Sequence, residues 1–171
     1  LIDSLSAAKN AAGTNADKIA TLYNMGMDSA TLQQQGAQPI KPLMEEIAAL
    51  KGREALQQEV IRLHKVGINP FFALFGEADA EDANQCIAWI YQTGTGMGDR
   101  DYYLSNDTRS KALRESYHKL MATEFALSGY DQIAGIPAEK LAKMVMGMEV
   151  RLATAQYDKL TNRDPFKTYN P

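Results

Sequence analysis

The feature that most constrains the fold is an apolar stripe near the C-terminal end of the chain, which repeats with the period of an α-helix. It follows Pro137, a residue suited to the first turn of a helix, and comprises Leu141, Met144, Val145, Met148, Leu152 and Ala155. Residues three and four positions apart share one helix face. The spacing therefore predicts a five-turn amphipathic helix, and we expect its methionines to fill the core, namely Met144, Met146 and Met148.

Similar spacing predicts further helices upstream, over 17–27, 43–50, 53–66 and 108–128. We expect Ser29 to cap a short turn before Gly36, and Asp107 to cap the longest helix, which Gly129 closes. The sequence is therefore predicted to be mainly α, as a multi-helix domain.

Two β-like runs interrupt this helical pattern, at about 69–75 and 86–91. The first is aromatic and begins beside Pro70, a residue typical of edge segments, and the second contains Trp89. An acidic connection separates them. We predict a small two-stranded β ribbon. Because an isolated ribbon is marginal in water, its aromatic side chains should pack against the helices.

Composition excludes several classes of partner. A net charge of −3 provides no basic surface for nucleic acid, and no apolar run approaches the ~20 residues of a membrane span. The chain begins at Leu1 rather than methionine and stops at Tyr169-Asn170-Pro171, inside an apparent motif. We therefore expect 1–171 to be a single segment of a larger protein.

Metal and thiol chemistry have little support in the residue types present. Zinc needs three or four ligands, whereas the chain has two histidines, His64 and His118, and one cysteine, Cys86. We expect no metal site in this segment and a partly buried His64. Cys86 beside a histidine could act as a nucleophile, but its apolar neighbours favour a small buried side chain. The acidic connection lacks the EF-hand pattern, which favours a solvated loop over a Ca²⁺ site.

Three alternate glycines, Gly94, Gly96 and Gly98, lead into an Arg-Asp-Tyr-Tyr-Leu sequence. This loop has two interpretations, a phosphate-binding loop or a structural turn. The dinucleotide fingerprint G-x-G-x-x-G requires glycine where Asp99 stands, and the aperiodic stretch 99–106 predicts no helix directly after the loop. We favour a structural turn that contains a buried polar knot.

Three blocks occur in a recognisable order, at 22–43, 63–104 and 149–170. The second contains a Gln…Gly…Gly…Arg-Asp-Tyr-Tyr-Leu motif and the third an Arg-Asp-Pro…Tyr-Asn motif. Together they resemble the non-catalytic N-terminal region of the neprilysin and endothelin-converting-enzyme family of zinc peptidases. The motif residues of the last two blocks are Arg100, Asp101, Tyr102, Tyr103, Arg163, Asp164, Tyr169 and Asn170.

The resemblance implies a two-domain, largely helical metalloendopeptidase that hydrolyses peptides. In the family, zinc is bound by a later H-E-x-x-H helix and a downstream glutamate, so zinc is expected in the full-length parent and no catalytic or metal-binding residue in this segment. The segment is expected to belong to the helical N-terminal domain, to shape the substrate chamber with the catalytic domain of the same polypeptide, and to be inactive alone. The parent is expected to be secreted, periplasmic or associated with the cell envelope, with the cytoplasm as the alternative.

Two departures from the family pattern are informative. Animal members carry a cysteine where Gly26 stands, so the chain resembles the bacterial branch. Some members place an arginine before the Gly36 position, where it binds the carboxylate of the substrate C-terminus, and Gln35 stands there. Gln35 is thus the candidate substrate-binding residue, able to donate a hydrogen bond but carrying no charge.

The charged motif residues also have an interpretation that is independent of the family. Arg100 and Asp101, like Arg163 and Asp164, are adjacent opposite charges beside aromatic residues. Such side chains anchor loops through charge-assisted hydrogen bonds, and we expect structural clasps at both places. Two alternatives remain open, a stand-alone helical protein-interaction module and, with less support, a nucleotide-binding domain.

Overall fold

The structure is a computed structural model, and it describes residues 1–170. It is mainly helical with one small antiparallel sheet, which confirms the predicted fold class. The chain divides into two compact units, residues 1–42 and residues 43 onward. The prediction that 1–171 is a single segment of one domain stays a prediction.

The first unit is built from three helices and a 3-10 turn: α1 (Ile2–Ala7), α2 (Asn15–Met27), α3 (Ser29–Gln35) and the turn Gln38–Ile40. A Tyr23 hydroxyl 3.3 Å from the Asp3 carboxylate joins α2 to α1. The cap of α3 is Asp28, whose carboxylate accepts the Thr31 N–H at 3.0 Å. The expectation that Ser29 caps this helix is wrong, because Ser29 is already the first residue of the helix and the Asp28 carboxylate binds the free N–H group.

The remaining elements form a succession of helices around one hairpin. In chain order they are α4 (Lys41–Ala49), α5 (Gly52–Lys65), β1 (Phe72–Ala78), β2 (Cys86–Gln92), α6 (Arg100–Leu104), α7 (Thr108–Ser128), α8 (Tyr130–Ala134), α9 (Ala138–Ala155), α10 (Lys159–Asn162) and α11 (Pro165–Thr168). The core lies between α7 and α9, where Met121, Ala122 and Ala142 are buried and Phe125 and Met146 pack against them.

The ends of α7 follow the sequence signals. Asp107 is the N-cap, and its carboxylate accepts the Ser110 N–H at 2.9 Å. Gly129 ends the helix in the left-handed conformation with φ of 72°, which a residue without Cβ adopts at little cost. Both predicted boundaries of this helix are confirmed.

The ribbon is confirmed, with a corrected first strand. β1 and β2 are antiparallel, and their register runs from Phe72 opposite Gln92 to Ala78 opposite Cys86. β1 therefore starts three residues later than predicted and extends three residues further. The reason is that Pro70 has no N–H to give to the ladder, whereas the residues up to Ala78 have partners in β2. The ribbon packs on α5 through the Phe72 ring, whose centroid is 4.9 Å from that of His64.

The buried face of α9 is rotated relative to the predicted stripe. Leu141, Ala142, Glu149 and Ala153 are buried, whereas Met144 and Met148 are exposed. The expectation that these two methionines fill the core is therefore wrong. Glu149 instead points into the core, because its carboxylate accepts hydrogen bonds from buried donors there.

Two smaller expectations are also wrong. Cys86 is exposed rather than buried, because it is the first residue of β2 and lies at the end of the ribbon next to the acidic connection. A helix does follow the glycine loop: α6 starts at Arg100. Its five residues are too few to show a helical period in the sequence.

Candidate functional site

The glycine loop connects β2 to α6, and two of its glycines are required by close contacts. Gly94 has φ of +82°, and a Cβ there would lie 2.7 Å from the Pro70 carbonyl oxygen. A Cβ on Gly96 would overlap the Tyr117 hydroxyl. The loop therefore lies directly against the entry to β1 and against α7, which leaves no cradle for a phosphate at these two positions.

The Glu149 cluster, defined as Glu149 with Tyr103, Tyr117, Gly96 and Met97, fixes this loop from α9. The Tyr103 hydroxyl donates to Oε2 of Glu149 at 2.7 Å, and the Tyr117 hydroxyl donates to Oε1 at 3.1 Å. The Gly96 N–H also donates to Oε1, at 3.2 Å. The Met97 N–H in turn donates to the Tyr103 oxygen at 2.9 Å. A buried carboxylate is thus matched by three donors and needs no cation.

The two tyrosines of the cluster stay protonated at neutral pH. Burial is the main cause that raises the pKa of Tyr103 well above its ordinary value. The hydrogen bond from the Met97 N–H lowers this pKa, and the Glu149 carboxylate raises it further. Burial and then the negative charge of Glu149 raise the pKa of Tyr117 to about 12. Both hydroxyls therefore act as hydrogen-bond donors to Glu149 and not as bases.

The start of α6 is held by charge. Asp99 is the N-cap, accepting the Asp101 N–H at 3.1 Å. Its carboxylate also pairs with Lys159, which is the main cause of its lowered pKa, followed by the Asp101 N–H. Arg100 Nε donates to the Ala153 carbonyl at 3.0 Å. Because a carboxylate occupies this helix N-terminus, a phosphate would be repelled from it.

The Arg-Asp-Tyr-Tyr residues divide into different roles. Tyr103 is buried in the Glu149 cluster, whereas Asp101 is exposed and makes no ion pair with Arg100 within residues 1–170. The Tyr102 carbonyl accepts from Arg114 Nη1 of α7 at 2.6 Å. Arg100 thus bonds to the Ala153 carbonyl, Asp101 gives its backbone N–H to the Asp99 carboxylate, and the two side chains do not pair with each other.

The second motif, near residue 170, ties the end of the described chain to the ribbon. The Tyr169 hydroxyl donates to both oxygens of Asp79, at 2.9 and 3.1 Å. This hydrogen bond is the first cause that raises the pKa of Tyr169 to about 12. The pKa of Asp79 is lowered, first by the Glu81 N–H and then by Tyr169. The acidic connection between the strands is therefore anchored at Asp79.

The neighbouring motif residues have separate contacts. Asp164 caps α11 by accepting the Phe166 N–H at 3.1 Å, and Asn170 donates to the Thr168 carbonyl at 3.2 Å. Arg163 is exposed, and its side chain has no hydrogen bond or ion pair within residues 1–170. The structure therefore does not bring Arg163 and Asp164 together as an ion pair.

Comparison with known proteins gives the family. The N-terminal model of peptidase family M13 matches residues 1–171. The chain belongs to peptidase family M13. The predicted resemblance to the neprilysin and endothelin-converting-enzyme family is thereby confirmed, including the similarity to a bacterial member described next.

The M13 chain is similar to much longer proteins. Endothelin-converting enzyme 1 of Cavia porcellus is 24% identical over 160 residues, which cover 90% of this chain and 21% of that protein. The human enzyme is 23% identical over 160 residues, or 90% of this chain and 20% of that protein. The cryo-EM structure of the zinc metalloprotease Zmp1 of Mycobacterium tuberculosis in its open state superposes with a TM-score of 0.80 and 26% identity, covering 99% of this chain and 26% of that chain. An inhibitor complex of Zmp1 gives a TM-score of 0.79. The chain thus spans about a fifth to a quarter of the length of these relatives.

The described residues of the M13 chain bring no set of candidate zinc ligands together. Within residues 1–170, no three His, Cys, Asp or Glu side chains are grouped closely enough to hold a metal ion. Both ring nitrogens of His64 lie 2.7 Å from backbone carbonyl oxygens, those of Val60 and Phe72, and His118 contacts Glu139 of α9. The two histidines therefore do not fit a zinc ion. The helices of the described part of the chain are also too short or too polar to cross a bilayer.

Gln35 lies in the first unit, at the last position of α3. It is exposed, and no hydrogen bond of its side chain is found among the described residues. Gly36 follows with φ of +51°, so the backbone turns sharply beside it. The amide group of Gln35 is therefore available to a ligand.

The second unit contains a cleft of about 600 Å³ between the glycine loop and α10. Its walls include Arg100 and Arg163. Its floor is tied by a reciprocal pair, in which Gln92 Nε2 donates to the Tyr157 carbonyl at 3.0 Å and the Tyr157 N–H donates to Gln92 Oε1 at 2.8 Å. Gln92 and Glu149 stand in the motif blocks of the sequence, but their organising roles were not predicted, because a single polar residue within an apolar segment gives no spacing signal.

Proposed function

We propose that this chain is part of the helical N-terminal domain of a two-domain zinc metalloendopeptidase that hydrolyses peptides. Residues 1–171 would shape the substrate chamber, and the catalytic domain of the same polypeptide would be their partner. The observation that carries the proposal is the likeness to Zmp1, which extends over 99% of this chain and only 26% of that metalloprotease. A match of this kind is expected for one region of a larger enzyme.

In this proposal, zinc and the groups that act on the peptide bond belong to the rest of the parent. Two observations support this division. The described residues offer no group of three potential zinc ligands, and the buried carboxylate of Glu149 is fully engaged by hydrogen-bond donors. The segment alone is therefore proposed to be inactive.

The motif residues have a structural role in this proposal. Arg100 and Tyr103 join the glycine loop and α6 to α9, and Tyr169 joins the end of the described chain to Asp79. A chamber wall must keep its shape while substrates enter and leave, and such clasps serve that need. The same role is proposed for the remaining motif residues, Asp101, Tyr102, Arg163, Asp164 and Asn170.

Gln35 is proposed as a substrate contact. Its exposed amide beside the turn at Gly36 can donate a hydrogen bond to a peptide carbonyl or carboxylate. Because it brings no charge, binding should depend little on a free C-terminal carboxylate. The test compares KM for free-acid and amidated peptides in the parent enzyme. Gln35→Ala should raise both KM values, Gln35→Arg should favour the free acid selectively, and Gln34→Ala, on the same exposed helix, is the control. Unchanged KM values in both Gln35 variants would remove this assignment.

The family resemblance also supports a proposed location. We place the parent outside the cytoplasm, in the secreted, periplasmic or envelope-associated fraction. Fractionation of the source cells with antibodies against residues 1–171 would test this placement. Recovery in the cytoplasmic fraction alone would contradict it.

The experiment that tests the proposed function uses the full-length parent. The purified protein should contain one zinc per chain by elemental analysis and cleave a fluorogenic peptide of about ten residues, and a chelator should abolish cleavage. The 171-residue chain, measured in parallel, should do neither. A parent gene that encodes no H-E-x-x-H helix, or a parent without peptidase activity, would instead support the stand-alone interaction module.

A further inference from the structure

A second groove, of about 540 Å³, runs along β2. One wall is β2 itself and the other is the α11 region, and the lining residues that matter here are Ile87, Ala88, Trp89, Ile90, Tyr169 and Asn170. Strand side chains alternate between the two faces of a sheet. Four consecutive lining residues therefore bring the edge of the strand, and not only one face, into the groove.

Among the described residues, no strand lies beside the outer edge of β2. The sheet described here has two strands, so β2 pairs on one side with β1. Within residues 1–170, no other backbone hydrogen bond reaches Cys86–Gln92. Natural edge strands are protected by charged residues, proline or bulges, and the sequence Cys-Ile-Ala-Trp-Ile-Tyr-Gln has no charge and no proline. An edge of this composition is suited to receive another strand.

Trp89 adds an independent sign that an occupant belongs in this groove. Its indole Nε1 is buried and has no hydrogen-bond partner within residues 1–170, although the side chain lines the groove. A buried indole N–H normally finds an acceptor. A backbone carbonyl from a strand placed along β2 would supply one.

The surface around the edge is apolar. Ile90 and its cross-strand partner Leu74 are 72% and 53% exposed. These two apolar side chains lie next to each other and are exposed to solvent. An added strand with an apolar side chain would remove this surface from water, which is favourable.

Resting on the proposed function, we propose that an extended segment of the parent polypeptide, from outside residues 1–171, pairs with β2 as a third strand. Its backbone satisfies the open edge and the Trp89 indole, and an apolar side chain covers Ile90. The parent is favoured over a free peptide as the source because the chain is similar to only 26% of Zmp1, which leaves most of such a protein to supply the segment. A tethered segment also reaches the edge at a high effective concentration. Strand addition of this type derives affinity from backbone hydrogen bonds and specificity from alternate side chains.

Photo-crosslinking in the full-length parent tests the location of the segment. Ile90 is replaced by a benzoylphenylalanine residue, the protein is irradiated, and crosslinked peptides are identified by mass spectrometry. We expect crosslinks to one short stretch outside residues 1–171. The same probe at Lys111, an exposed position on α7, should not label that stretch. Crosslinks confined to residues 1–171, crosslinks between two parent molecules, or none at all would overturn the proposal.

Hydrogen exchange in the same parent tests the pairing itself. In the unaltered parent, the amides of Cys86–Gln92 should be as well protected from exchange as the β1 amides that pair with β2. Trp89→Phe keeps an aromatic ring but removes the indole N–H. It should speed exchange of the β2 amides about fivefold, which is the effect of one net hydrogen bond. Tyr157→Phe, which removes an exposed hydroxyl in the same unit, is the control and should leave exchange unchanged. Fast exchange along β2 in the unaltered parent would overturn the proposal. Zinc content and peptide cleavage are measured on the same preparations. A parent that contains zinc and is active, but whose β2 amides are unprotected, refutes only the third strand. An inactive parent whose β2 amides are protected refutes the proposed function.

Discussion

Glu149 shows how a single residue organises the second unit. It is 6% exposed and accepts hydrogen bonds from the hydroxyls of Tyr103 and Tyr117 and from the Gly96 N–H. The arrangement joins α9 to α6, α7 and the glycine loop through one carboxylate. Its energetic weight comes from the cost of leaving buried donors without an acceptor.

We expect Glu149→Gln to destabilise the chain by about 1–3 kcal/mol, because an amide offers one acceptor oxygen in place of two and turns an NH₂ group towards donors. Urea unfolding followed by circular dichroism measures the change. Glu115→Gln, at an exposed position on α7, is the control and should stay within about 0.5 kcal/mol of the unaltered chain. Equal effects of the two substitutions would show that Glu149 does not organise the unit.

The glycine loop provides a second prediction at the scale of one residue. Gly96→Ala should destabilise the chain by about 1–3 kcal/mol, as overpacking does, because the new methyl group overlaps the Tyr117 hydroxyl. Gly147→Ala should stabilise it by about 0.5–1 kcal/mol, because Gly147 lies inside α9 with no atom within 4 Å of the added Cβ. Thermal unfolding of both variants measures the contrast. Two shifts of the same sign would contradict the packing described for the loop.

Among the elements, α7 contains a titratable cap. The pKa of Asp107 lies well below its ordinary value because its carboxylate accepts hydrogen bonds from the Ser105 hydroxyl and from the hydroxyl and N–H of Ser110. A pKa lowered by folding stabilises the folded chain at pH values above the unfolded pKa of about 3.9. That contribution is lost as the pH falls through the folded pKa.

We therefore expect Asp107→Asn to flatten the acid limb of the stability curve. Asparagine is also a good N-cap but has no carboxyl group to protonate. Melting temperatures of both proteins between pH 7 and pH 2 measure the effect, and the difference between them should shrink below about pH 4. Parallel curves over the whole range would show that Asp107 does not contribute to the acid sensitivity.

The elements also show what the sequence could predict and why the rest was missed. Long helices such as α7 and the existence of the ribbon were predictable, because their periodicity and caps are local. The rotated face of α9 was not, because its cause, Glu149, is buried by donors that lie 32 to 53 residues away in the chain. Single-turn helices such as α6 are fixed by a cap and by tertiary contacts, and their sequences are too short to repeat. The family resemblance, in contrast, came from motif order and was confirmed.

At the scale of the whole molecule, much of the surface is apolar and uncovered. Several large side chains are almost fully exposed, among them Leu127, Leu160 and Phe166 at 79%, 82% and 95%. Single exposed apolar residues are normal, but so many large exposed apolar side chains indicate surface that another part of a protein covers.

The uncovered surface predicts how the 171-residue chain behaves alone. It should bind a dye specific for exposed apolar surface and associate as its concentration rises, whereas the full-length parent should do neither at the same molarity. Dye fluorescence and sedimentation velocity measure the two properties. Ile90→Lys should reduce association by placing a charge on the open edge of the ribbon, and Lys111→Gln, which alters an exposed charge on α7, should not reduce it. If the chain stays monomeric and the dye does not fluoresce, its exposed apolar side chains are tolerated singly in water. That result would contradict the inference that another part of the protein covers this surface.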